Sequence, residues 1–180
     1  MTPFEQAIAE VDLYGFTLVP DVLTHDEITS LKEVLIRCAE EAGEADYVNR
    51  GGTSCLVRNL PTLDPDFFSI IDHPTILPIV EHFLGESLIL GSLSSRIVRP
   101  GDGDQDFHSD IPGHMLNPAS PVMMNTVWML EDFSPENGGT RIVPGSHKSG
   151  LDGPPADMDV KHVYQPLCDA GSVLVFNGQC

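Results

Sequence analysis

The sequence predicts a mainly β protein with helices at its N-terminal end, and three observations carry that expectation. From residue 88 onward, short apolar segments alternate with Gly- and Pro-containing turns. Before residue 88, apolar residues recur at helical spacing behind recognisable caps. Within the later region, "SPENGGT" carries an Asn-Gly pair, a strong signal for a tight hairpin. Together these describe an antiparallel sandwich or barrel with helices buttressing one face. The 180 residues suit one domain: residues 1–87 as a helical preface with one strand, residues 88–180 as the β core.

Taken in order, "YGFTLVP" (14–20) alternates well enough for a short strand ending at Pro20. Thr24 and Glu27 then form a capping-box pattern. The helix behind it places Ile28, Leu31, Leu35, Cys38, Ala39 and Ala42 on one stripe, and Gly43 suits its end. Residues 44–62 are polar and loop-like. "DHPTILPIVEHFLG" (72–85) predicts a second helix with Asp72 as cap, Pro74 in the first turn and Gly85 at the stop. His82 on that helix reads as a packing or surface histidine. The strand candidates are "LILGSLSSRIVRPG", "PVMMNTVWMLEDF", "GTRIVPG", "KHVYQPL" and "GSVLVFNG". "VMMNTVWML" is apolar on both faces, the pattern of an inner strand packed on two sides.

Hydrophobic residues make up 41% of the chain and charged residues 20%, values of a folded protein. The net charge of −18 argues against nucleic-acid binding, which needs clustered Lys and Arg. It also disfavours polyanionic substrates such as coenzyme A esters, although most of it is a solvated surface that promotes solubility. No apolar run is long enough for a membrane span. The opening "MTPFEQAIAEVD" lacks the basic head and apolar middle of a secretory signal, so a cytoplasmic protein is expected. Cys38, Cys55, Cys168 and Cys180 are widely spaced and read as reduced thiols.

The chemistry lies in "QDFHSDIPGH" (105–114). On an extended segment His108 and Asp110 project to one face, where an imidazole and a carboxylate suit a divalent ion of intermediate softness. Iron(II) is the usual occupant when a second histidine completes the set. Spacing alone is weak, because this composition yields roughly 0.6 such triplets by chance. Asp102, Asp104 and Asp106 alternate as in a calcium loop. That loop needs a glycine at its sixth position and a glutamate at its twelfth, where this chain has Phe107 and Gly113.

Four stretches in order give the motif its context. They are "LYGFTLVPDVLTHDEITSLKEVL", "RIVRPGDGDQDFHSD", "VWMLEDFSPENGGTRIVPGSHKSG" and "CDAGSVLVFNGQC". Over nearly its whole length the chain resembles the phytanoyl-CoA dioxygenase family of iron(II)/2-oxoglutarate oxygenases. The resemblance implies a double-stranded β-helix, a cupin-like jelly roll, with Fe(II) as metal and 2-oxoglutarate as cosubstrate. It makes His108 and Asp110 metal ligands, places Trp128 beside 2-oxoglutarate, and puts Ser95 and Arg58 where the family holds that cosubstrate. Each has an ordinary reading too: Trp128 as core filler, Ser95 as a strand hydroxyl, Arg58 as a solvated charge.

The family's third ligand, a histidine, and the arginine that clamps 2-oxoglutarate follow the strand that "GSVLVFNG" resembles. By that resemblance both fall past Cys180, the jelly roll lacks its last strands, and the chain is a fragment of a longer one. "SVLVF" is then expected to be an apolar strand with an open edge, through which a homodimer could form. His147, in a turn that is structural in the family, and His114 are the alternatives for the third ligand. The implied reaction is hydroxylation of a small, apolar organic substrate by dioxygen, because related halogenases lack the carboxylate that Asp110 supplies. The rival is a non-catalytic jelly-roll module that binds a small ligand or partner and lacks the distal half of the metal site. A metal-dependent hydrolase has no nucleophile or second carboxylate motif in its favour.

Overall fold

The computed structural model describes residues 1–42, 47–49 and 53–180. Helix α1 (Pro3–Tyr14) starts from a capping box in which Thr2 and Glu5 satisfy each other's backbone N–H groups. It ends at Gly15, whose φ of 89° is the left-handed conformation that glycine adopts without strain. Strand β1 (Phe16–Val19) follows directly. Helix α2 (His25–Ala42) begins behind Thr24 as expected. The Glu27 amide donates to Thr24 Oγ1 at 3.3 Å, and the Thr24 amide donates to Glu27 Oε2 at 2.8 Å. The Thr24 hydroxyl holds the Glu27 carboxyl below its ordinary range. Leu31, Val34 and Cys38 are buried, with Ile28, Leu35 and Ala39 packed against the same cluster. Gly43, the expected stop, lies outside the described residues.

The stretch expected to be a loop contains two strands and a short helix. β2 (Tyr47–Asn49) pairs antiparallel with β3 (Thr53–Val57), and α3 (Leu60–Leu63) follows. Their brevity hid them, since "TSCLV" has no clear alternation, yet Cys55, Leu56 and Val57 are all buried. The preface therefore holds three strands, not one. A 3-10 helix (Pro65–Ile70) then buries Phe67 and Ile70. The second predicted helix begins later than its sequence implied: α4 spans Leu77–Leu84. His73 holds residues 73–76 in a turn, its Nδ1 accepting from the Thr75 amide at 3.3 Å. Asp72 is thus no cap, and Pro78 stands near the helix start. Gly85 ends the helix as expected, and His82 packs edge-on against Phe4.

The later strands are β4 (Ser95–Ile97), β5 (Met124–Trp128) and β6 (Val173–Asn177). They form two antiparallel three-stranded sheets, β1-β6-β5 and β2-β3-β4. Each sheet joins segments from both sides of residue 88, so preface and core are interleaved. Helices do precede most of the later strands, but among the described residues the four α-helices hold more residues than the six strands. "GTRIVPG" and "KHVYQPL" form no named strand and pair through one isolated bridge, Ile142 with Tyr164, while Phe133 bridges Cys168. The Asn-Gly turn therefore joins no hairpin: the residues flanking it pair with the 164–168 segment instead of with each other. Gln165 braces that arrangement by donating to the Gly139 carbonyl at 3.2 Å.

The strand buried on both faces is β6, not β5. All five of its residues are buried, whereas β5 is mostly half-buried. In the ladder Phe16 faces Phe176 from one side and Asn125 faces it from the other. "SVLVF" therefore has both neighbours, because β1 folds back to occupy the edge expected to be open. The edges of this sheet are β1 and β5. One face of β6 packs Val173 and Val175 on Ala7 and Val11 of α1 and Ile76 and Ile79 beside and within α4. The other packs Leu174 and Phe176 with Phe16, Met129 and Ile142. No helix among the described residues is long and apolar enough to cross a membrane.

Candidate metal centre

The His108–Asp110 segment is hung on the end of β6. The Asp110 amide donates to the Gly178 carbonyl at 2.8 Å, and the Ser109 hydroxyl donates to the same oxygen at 3.1 Å. Gly178 in turn donates to Met123 at 2.9 Å, so the segment continues the pairing of β5 with β6. Gln179, 3% exposed, pins the chain beyond it. Its Oε1 accepts from the Asn117 amide at 2.5 Å, and its Nε2 donates to the Asn117 carbonyl at 3.1 Å.

The two candidate ligands face each other: His108 Nε2 lies 3.3 Å from Asp110 Oδ1, with side chains 42% and 38% exposed. His108 Nδ1 lies 2.7 Å from the Asp106 carbonyl. A carbonyl only accepts, so Nδ1 carries a proton; in the neutral ring this makes Nε2 the nitrogen with the lone pair, the tautomer a metal ion requires. The second Asp110 oxygen accepts from Asn125 Nδ2 at 2.7 Å. This donor set, a neutral imidazole nitrogen and a carboxylate oxygen, fits a divalent first-row ion. Among the described residues no group of three His, Cys, Asp or Glu converges to complete it.

An open cavity of about 1270 Å³ adjoins the pair. His108, Asp110, Ser95 and Trp128 all line it; Arg58 does not, and is exposed on the loop after β3. Ser95 Oγ is buried with no hydrogen-bond partner among the described residues. Trp128 Nε1 donates to Thr126 Oγ1 at 3.1 Å, on the face of β5 that packs against the helices. Asn125, three positions away on the strand, points to the opposite face. Both faces of β5 thus contribute to the wall, Thr126 and Trp128 from one side and Val127 from the other. Asp102 and Asp104 are engaged elsewhere, with the Arg99 amide at 2.8 Å and Arg141 at 3.1 Å.

His114 stands exposed in a 3-10 turn (Gly113–Met115) off the cavity wall. His147 is 5% exposed in the Pro-Gly-Ser-His turn, with neither ring nitrogen hydrogen-bonded among the described residues. Burial pushes its imidazole below the ordinary value and the neighbouring Lys148 adds to this, with Asp12 opposing both. The ring is therefore held neutral in the folded protein, and the unfolded chain takes up the extra proton. Stability should fall as the pH drops below about 6.5, the unperturbed histidine value. His147→Gln removes that contribution. If the parent and variant melting temperatures run parallel from pH 7.5 to 5.5, His147 is not the group responsible.

Asn125, Gln179 and Gly178 were not singled out from sequence. The one available signal was the polar Asn125 inside the apolar run "VMMNTVWML".

The chain is 30% identical over 186 residues to dioxygenase af480 of Aspergillus fumigatus, matching 97% of this chain and 59% of that relative. It therefore spans about three fifths of that curated relative's length. Among solved structures, the non-heme alpha-ketoglutarate dependent epimerase SnoN from nogalamycin biosynthesis aligns with a TM-score of 0.74 and 20% identity, over 98% of this chain and 72% of that one. The carbocyclase SnoK from the same biosynthesis aligns at 0.73 and 20%, over 99% and 75%. These likenesses show that the chain shares the cupin-like fold of those two proteins. The Phytanoyl-CoA dioxygenase (PhyH) family model matches residues 11–180, and the chain belongs to that family.

Proposed function

We propose that this chain belongs to an Fe(II)- and 2-oxoglutarate-dependent dioxygenase built on a jelly roll, which hydroxylates a small, apolar organic molecule. The observation that carries the reading is the convergence of His108 Nε2 and Asp110 Oδ1 on one wall of the cavity. When bound, iron(II) with 2-oxoglutarate supplies the oxidative decarboxylation through which dioxygen is activated.

The chain's own residues hold and shape the site. His108 would offer its Nε2 to the ion, because its Nδ1 is engaged by the Asp106 carbonyl. Asp110 offers the negative charge that balances the ion, and the Gly178 carbonyl fixes its backbone. Ser95, with a buried hydroxyl that lacks a protein partner, is suited to a carboxylate of the cosubstrate. Apolar residues from the helical side, among them Leu31, Phe67, Ile70 and Leu93, line the remainder of the cavity and favour an apolar substrate.

An anaerobic titration with iron(II) and 2-oxoglutarate tests this. The expected result is saturable binding with the weak visible charge-transfer band of the ternary complex. The second reading, a module that binds a small ligand without redox chemistry, is favoured by the absence of a converging third donor among the described residues. It gains if neither the band nor saturable metal binding develops.

A further inference from the structure

We infer that Asn125 is a positioning residue for Asp110, deciding which carboxylate oxygen meets the metal ion; this rests on the metal-centre reading above. Asn125 Nδ2 donates to Asp110 Oδ2 at 2.7 Å, while Oδ1 faces His108 Nε2 at 3.3 Å. One oxygen is thus occupied by a neutral donor and the other is left free. A carboxylate held in this way ligates through a single oxygen, at the place where the imidazole lone pair also points.

The backbone makes the arrangement stiff. Asn125 sits on β5 opposite Phe176, and two residues after Phe176 the Gly178 carbonyl anchors the Asp110 amide. Side chain and main chain of Asp110 are therefore held from neighbouring positions of the same two-stranded ladder. His108 is held in the corresponding way by the Asp106 carbonyl. Each candidate ligand has one outer hydrogen bond that sets its orientation, the usual means by which a protein tunes a metal site.

The chemistry of the side chain is specific. An aspartate at position 125 would set a second negative charge against Asp110, and a leucine of similar volume would offer no donor. Asparagine supplies an N–H without adding a charge that competes for the ion.

The test compares the parent with Asn125→Leu, His108→Ala and Asp110→Ala, measuring Mn(II) and Co(II) affinity with 2-oxoglutarate present, together with the melting temperature. Asn125→Leu should weaken metal binding about 10- to 100-fold. Its melting temperature and that of Asp110→Ala should be coupled, the double variant losing less than the two singles combined. Equal metal affinity in the parent and Asn125→Leu, with His108→Ala defective, overturns the positioning role alone. Additive melting shifts overturn the hydrogen bond on which it depends. If the parent and His108→Ala bind metal equally poorly, the metal-centre reading fails and this role fails with it.

Discussion

Replacing His108 by alanine is expected to weaken iron(II) binding by more than about 100-fold, since it removes a ligand and not merely a residue that supports one. Turnover should be lost in the same proportion. The fold should survive, because the side chain is 42% exposed and its hydrogen bond goes to the nearby Asp106 carbonyl. His114→Ala is the contrasting variant. It removes an imidazole only six residues further along, but one exposed and off the cavity wall. Equilibrium dialysis with iron(II) under argon separates the two. A His108→Ala protein that binds iron as the parent does would remove this segment from the metal centre altogether.

The second large effect concerns the joint between α1 and β1. Gly15 has a φ of 89°, and a Cβ added there would lie 2.5 Å from His147 Nδ1 and 2.9 Å from Cys180 Sγ. Gly15→Ala therefore meets two penalties. The left-handed backbone costs about 1–2 kcal/mol for a residue with a side chain, and crowding a filled interior adds about 1–3 kcal/mol. A loss of roughly 2–5 kcal/mol is expected in urea unfolding, a large share of a typical domain's stability. Gly91→Ala is the comparison, since its position is open, with nothing within 4 Å. It should change stability by no more than about 0.5 kcal/mol. Equal midpoints for the two variants would mean that the His147 turn yields easily.

Local features were the ones readable from sequence. The Thr24–Glu27 capping box, the stripe of α2 and the strand at residues 16–19 depend on neighbours a few positions apart, and each is present. Pairing was not readable. The apolar character of β6 was evident, but nothing in "GSVLVFNG" names β1 as its second neighbour, so the strand was taken for an edge. β2 and β3 went unseen because three to five residues are too few to establish a period. In the site, the i, i+2 spacing of His108 and Asp110 placed the two side chains on one face, and the family resemblance singled them out. Their support from Asn125 and Gly178 was not legible, because those residues approach only once β5 and β6 have paired. Trp128, expected beside the cosubstrate, does line the cavity, on the face of β5 opposite Asn125.

The order β1-β6-β5 also bears on how the chain acquires its structure. β6 separates the other two strands, and each makes its ladder only with β6. When residues 16–19 leave the ribosome, their partner at 173–176 has not been translated. Residues 124–128 likewise wait for 173–177. Helices α1 and α2 can form early from their own caps, whereas this sheet closes late and through contacts of long sequence separation, the class that folds slowly. Until then Phe16 and Leu18 lack their β6 neighbours, an interval in which a chaperone or a second nascent chain competes for the same apolar segment.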